Sequence, residues 1–124
     1  MAIVRQKYSG STQYQAVFDL LARAATEMRM VSYGEVFNAM GLRSGNHAGR
    51  EAGRLLGEIS ESMVGGGRPL LTAVVVNQST RLPGAGFFDL ASALGRLRKG
   101  ASEEEKRAFW EEECEAVFDM SWPG

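Results

Sequence analysis

The sequence predicts an α+β domain that is mainly helical. Three observations carry this. Residues 32–57, SYGEVFNAMGLRSGNHAGREAGRLLG, read as two short helices parted by a turn. Residues 70–76, LLTAVVV, are the one convincing strand, rich in valine and apolar on both faces. From Ser102 onward, apolar residues recur at helical spacing in an otherwise acidic segment.

The elements follow in order. Residues 1–11 form a polar arm. Thr12 caps a first helix over 13–29, whose stripe is Tyr14, Val17, Phe18, Leu21, Ala25 and Met28. Ser32 and Glu35 match a capping box opening a second helix over 33–41, with Gly41 as its stop. After the turn LRSGN, Asn46 or Ser44 caps a third helix over 47–62. Its inner face is Ala48, Ala52, Leu55, Leu56, Ile59 and Met63. VGGGRP breaks the chain before the strand, and NQSTRLPGAG is a loop with turn chemistry throughout. A helix over 87–97 follows, with Phe87 and Phe88 entering the core, at least one of them fully. The last helix opens on a second capping box, Ser102 with Glu105, and docks through Trp110, Cys114, Val117 and Phe118. Helix, turn, helix, strand and Gly/Pro loop make the outline of a winged helix-turn-helix with a C-terminal helical extension over 87–120.

The 124 residues suit a single domain with a real core. Apolar content of 44% and charge of 23% are ordinary for a soluble protein. No apolar run approaches the roughly 20 residues of a membrane helix, and the start lacks the apolar stretch of a signal peptide. A cytoplasmic location without membrane attachment is the expectation. One cysteine excludes an internal disulfide, and with a single histidine it leaves no ordinary zinc set. No cofactor is implied. The net charge of −1 hides an asymmetry: residues 1–101 hold 12 Lys/Arg against 7 Asp/Glu, and residues 102–124 hold 2 against 8. A mildly basic body suits a nucleic acid. The acidic last helix reads first as a solvated face.

The third helix carries Gly49, Gly53 and Gly57, four residues apart and so along one face. Each costs a helix interior about 1 kcal/mol relative to alanine. Either the protein packs closely there, or a phosphate chain approaches. Arg50 and Arg54 lie one position round from the glycines. They follow a phosphate run or pair with Glu51, Glu58 or Glu61. His47 has no local catalytic motif, and RLPGAGFF lacks the ending of a phosphate loop.

VSYGEVFNAMGL followed by NHAGREAGRLLG resembles the DNA-binding domain of alkylguanine-DNA alkyltransferases and alkyltransferase-like proteins. That family shows a Val-x-Tyr-Gly-Glu type segment opening its helix-turn-helix and an Asn-Pro-x-Ala-Ala-Arg-x-Val-Gly type segment on its recognition helix. Tyr33, Gly34 and Glu35 match the first, and Arg50 and Gly53 match the second. The resemblance spans about residues 13–80. It implies double-stranded DNA as partner, a helix in the minor groove and a nucleotide turned out of the duplex. Tyr33 then lies beside the rotated phosphate, Arg50 fills the emptied stack, and Gly49 and Gly53 allow close approach. Arg54 takes a phosphate, and Ser32, Arg43 and Asn46 complete the DNA-facing set.

The family's alkyl acceptor is a cysteine in a Pro-Cys-His-Arg segment after the helix-turn-helix. Here GGRPLLTAVVVNQSTRLPG holds neither cysteine nor histidine. The recognition-helix proline is also missing, and the asparagine is displaced by one residue. Cys114 lies far downstream among Glu111, Glu112, Glu113 and Glu115, which suppress a thiolate. The expected function is non-catalytic DNA binding that senses modified or distorted bases. The rival is a protein-interaction module on the same scaffold, using the acidic last helix or the Pro-Gly loop.

Overall fold

The computed structural model describes residues 7–122, and positions 1–6 of the expected arm lie outside them. In chain order the elements are α1 (Thr12–Thr26), β1 (Val31–Ser32), α2 (Tyr33–Met40), α3 (Asn46–Gly65), a 3-10 turn (Leu71–Val74), β2 (Val75–Val76), α4 (Ala85–Ala93) and α5 (Glu103–Asp119). The protein is mainly helical with a small sheet. β1 and β2 run parallel, Val31 opposite Val75 and Ser32 opposite Val76.

The strand expected over 70–76 is therefore shorter than its apolar run. Leu70 through Val76 are all buried, but the first half winds into the 3-10 turn. A run buried on every side carries no period, so strand and turn read alike. Its partner β1 is too short to leave any alternation.

Four helices end in the same way. A residue in the left-handed region follows the helix, and two backbone N–H groups reach back to its last carbonyls. After α2 these are Gly41 to Asn38 at 3.0 Å and Leu42 to Phe37 at 2.9 Å. Gly67 serves α3 and Gly95 serves α4. Gly95 stops α4 at Ala93, four residues before the expected end. Met28 serves α1 with φ 55°, an uncommon conformation for a side chain. It stands 69% exposed instead of closing the apolar stripe. Two N-caps also shift: Ser11 replaces Thr12 at α1, accepting the Tyr14 N–H at 3.1 Å. Gly45 replaces Ser44 or Asn46 at α3, with no side-chain cap. Both expected capping boxes form, Ser32 with Glu35 and Ser102 with Glu105.

One core joins Val17, Leu21 and Ala25 of α1, Val36 and Met40 of α2, and Leu55, Ile59 and Met63 of α3 to Leu70, Leu71, Val74 and Val75. Full burial of a leucine or isoleucine contributes roughly 1.5–3 kcal/mol. That outweighs the cost of the glycines in α3. α5 then covers the 3-10 turn. Trp110 Nε1 donates to the Ala73 carbonyl at 2.8 Å, and Glu113 accepts the Leu70 N–H at 2.9 Å.

Candidate nucleic-acid interface and its cleft

α3 has two faces of opposite character. Ala48, Ala52, Leu55, Leu56, Ile59 and Met63 are buried, as their spacing requires. Asn46, His47, Gly49, Arg50, Gly53 and Arg54 are exposed. A Cβ placed on Gly49 or Gly53 would meet nothing within 4 Å. Packing inside the protein does not account for these two glycines. Gly57, the third in the row, is buried.

The glutamates of α3 are engaged elsewhere. Glu58, buried, accepts the backbone N–H groups of Lys7 at 2.9 Å, Tyr8 at 2.9 Å and Ser9 at 2.8 Å. Burial pushes its carboxyl up, but these N–H groups, Tyr8 first, more than offset that and leave it below its ordinary value. Glu51 accepts the Lys7 ammonium at 2.6 Å and the Tyr8 hydroxyl. Those bonds, Lys7 first, draw its pKa down to about 2. The chain entering α1 is thus latched to α3. Among the described residues no ion pair holds Arg43, Arg50 or Arg54.

Beside this face lies a cleft of about 420 Å³. Gly53, Leu56 and Gly57 of α3 form one wall, and Phe87 and Leu90 of α4 the other. Its polar groups are few. Ser60 Oγ and Thr72 Oγ1 share a hydrogen bond of 2.7 Å, and the exposed Asp89 of α4 also lines the cleft. Tyr33, half-buried at the start of α2, lines it as well. Its hydroxyl accepts the Gly84 N–H at 3.1 Å, which leaves its own proton available to a ligand. Phe87 and Phe88 meet edge to face at 5.2 Å. Both are half-buried, so neither enters the core fully: Phe87 lines this cleft and Phe88 lines a second one.

The structure thus brings Tyr33 and Gly53 to one cleft and sets Gly49, Arg50 and Arg54 on the helix that walls it. Arg43 is exposed in the preceding turn, and Asn46 opens α3 without capping it. Ser32 is occupied as an N-cap, its hydroxyl accepting the Glu35 N–H at 3.2 Å. The latch through Tyr8, Glu51 and Glu58 and the cleft residues Ser60, Thr72 and Asp89 were not legible as site residues. Thr72 offered one signal, as the sole polar side chain in LLTAVVV.

Cys114 is buried against the Ala73 carbonyl. Burial, then the charges of Glu113 and Glu111, push its pKa up to about 12. Among the described residues no cluster of His, Cys, Asp and Glu is placed to hold a metal. No helix there is long and apolar enough to cross a membrane. Comparison with family models, characterised proteins and solved structures returns no match.

Proposed function

We propose that this protein binds double-stranded DNA through α3 without reacting with it, and senses modified or distorted bases. The observation that carries this is the state of α3. Among the described residues no ion pair holds its arginines, the N-terminal segment occupies Glu51 and Glu58, and Gly49 and Gly53 leave the backbone open. A helix used only as a solvated surface would gain from alanine at both glycines and from local ion pairs at both arginines. Unpaired arginines likewise favour DNA over the protein-interaction module.

In this reading α1, α2 and α3 are the centre of a winged-helix-like unit. The 3-10 turn, β2 and the loop to α4 stand in the wing's place. Arg54 and Arg43 neutralise phosphates, Gly49 and Gly53 admit the sugar-phosphate chain, and Arg50 fills the gap left by a displaced base. The displaced base enters the cleft beside Tyr33, whose volume lies within the roughly 300–1,000 Å³ of small-molecule sites. Extrusion costs a few kcal/mol and least for a mismatched or damaged base, which gives selectivity without chemistry. Cys114 is unsuited to accept an alkyl group.

The test is a titration with plain and base-modified duplexes at two salt concentrations. Salt-sensitive binding, tighter to the modified duplex, is expected. Absence of salt-sensitive affinity for any duplex at low ionic strength overturns the reading.

A further inference from the structure

A second groove, of about 370 Å³, lies between the start of α4 and the first half of α5. Its apolar surface comes from Leu82 and Pro83 of the loop, Phe88 of α4 and Trp110 of α5. Its rim holds Lys106 and Arg107. These are the only Lys or Arg in residues 102–124, against eight acids, and both fall at this groove.

That placement gathers both cations of the segment at one groove. Glu103, Lys106, Arg107 and Trp110 line the groove at i, i+3, i+4 and i+7, one face of the helix. Glu104, Glu112, Glu115 and Asp119 are exposed away from that face, while Glu103 shares the groove's rim and Glu111 stands one turn from Arg107. The cations are weakly held where they stand. Lys106 Nζ is 3.6 Å from Glu103 and Arg107 Nε is 4.0 Å from Glu111, both beyond hydrogen-bonding distance. Lys106 Nζ also lies 6.0 Å from the centre of the Phe88 ring. An aromatic floor beside two loosely paired cations, which outnumber the one carboxylate in the lining, is complementary to an apolar side chain flanked by carboxylates.

We propose that this groove binds an acidic peptide segment of a partner protein, anchored by one aromatic or aliphatic side chain over Phe88 and Trp110. The anchor fills the apolar floor, and the flanking carboxylates take Lys106 and Arg107. The groove shares no lining residue with the cleft beside Tyr33, so the proposal stands independently of DNA binding.

The test uses the full chain and a blocked pentapeptide with a central phenylalanine and acidic residues on both sides. The control peptide carries lysines in place of the acids. Binding is followed by tryptophan emission and by backbone amide NMR shifts. The expected result is saturable binding of the acidic peptide, with shifts centred on residues 82–88 and 103–110. The double variant K106E/R107E should bind at least about tenfold more weakly. Both substituted side chains lie at the protein surface, and circular dichroism checks the fold. If the variant does not fold, wild-type salt dependence decides: affinity must fall as salt rises. No binding, equal binding of the lysine peptide, salt-independent binding, or shifts confined elsewhere each overturns the proposal.

Discussion

The Gly84 backbone N–H donates to the Tyr33 hydroxyl at 3.1 Å, joining the start of α2 to the N-cap of α4 across 51 positions of chain. Tyr33 lines the cleft and ties down the end of the Pro-Gly loop. Tyr33→Phe removes the acceptor and leaves the ring. It should cost about 1 kcal/mol, the net value of one hydrogen bond. Amide exchange at Gly84 should accelerate while the α1 and α3 amides keep their protection. Unchanged exchange at Gly84 would show that the loop is held by other contacts.

Gly49 and Gly53 give a test with opposed signs. Alanine at each should stabilise α3 by about 1 kcal/mol, since the added methyl group meets open space. The same double variant should bind duplex DNA more weakly if a sugar-phosphate chain approaches there. Chemical denaturation and a duplex titration on one sample read both. A stabilised variant with undiminished DNA affinity would remove the glycines from the interface.

Replacing Arg50 and Arg54 with alanine removes two cationic contacts and no core packing. The slope of log affinity against log salt should shrink by roughly 1–2 units. Loss of Arg50 alone should weaken binding to a modified or mismatched duplex more than to a plain one. An identical slope in the double variant would place the contact surface elsewhere.

The latch on α3 should fail in acid. Glu51 is drawn from an ordinary value of 4.5 to about 2, and Glu58 is also held below 4.5. A carboxylate depressed by folding lends stability that is complete above its unfolded pKa and lost as pH falls through the folded one. Stability should therefore decline between about pH 4.5 and 2, with exchange at Tyr8 and Ser9 rising first. Glu58→Gln turns an amide toward N–H donors that the carboxylate satisfied. It should cost about 1–3 kcal/mol at neutral pH and flatten the acid limb. A variant with the wild-type acid limb would exclude Glu58 as its source.

Cys114 should be inert in the folded protein. Its thiol is buried with a pKa pushed up to about 12, so thiolate is scarce at neutral pH. Incubation with alkylated duplex should leave the mass unchanged, and iodoacetamide should label the residue only after unfolding. A stoichiometric alkyl adduct on native Cys114 would restore an acceptor role.

The sequence by itself determined what depends on local periodicity and end chemistry. The apolar positions of α3 named its buried face, because residues repeating at helical spacing share one side wherever the helix packs. Ser32 with Glu35 and Ser102 with Glu105 marked helix starts, since a capping box closes within four residues. Gly41 marked a stop for the same reason. Tertiary structure decided what depends on distant partners. Glu58 sits in a helix between the charges of Arg54 and Glu61, and only the fold brings the backbone of Lys7, Tyr8 and Ser9 onto it. That contact occupies one of the three carboxylates open to Arg50 and Arg54 in the sequence, and Lys7 and Tyr8 occupy a second, Glu51. Leu70–Val76 showed that it was buried but not its shape, because an unbroken apolar run is satisfied by any backbone with neighbours on every side. Phe87 and Phe88 showed that they were apolar but not that each lines a different cleft. Hydrophobicity sets whether a side chain leaves water, and the packing of the other elements sets how completely it can.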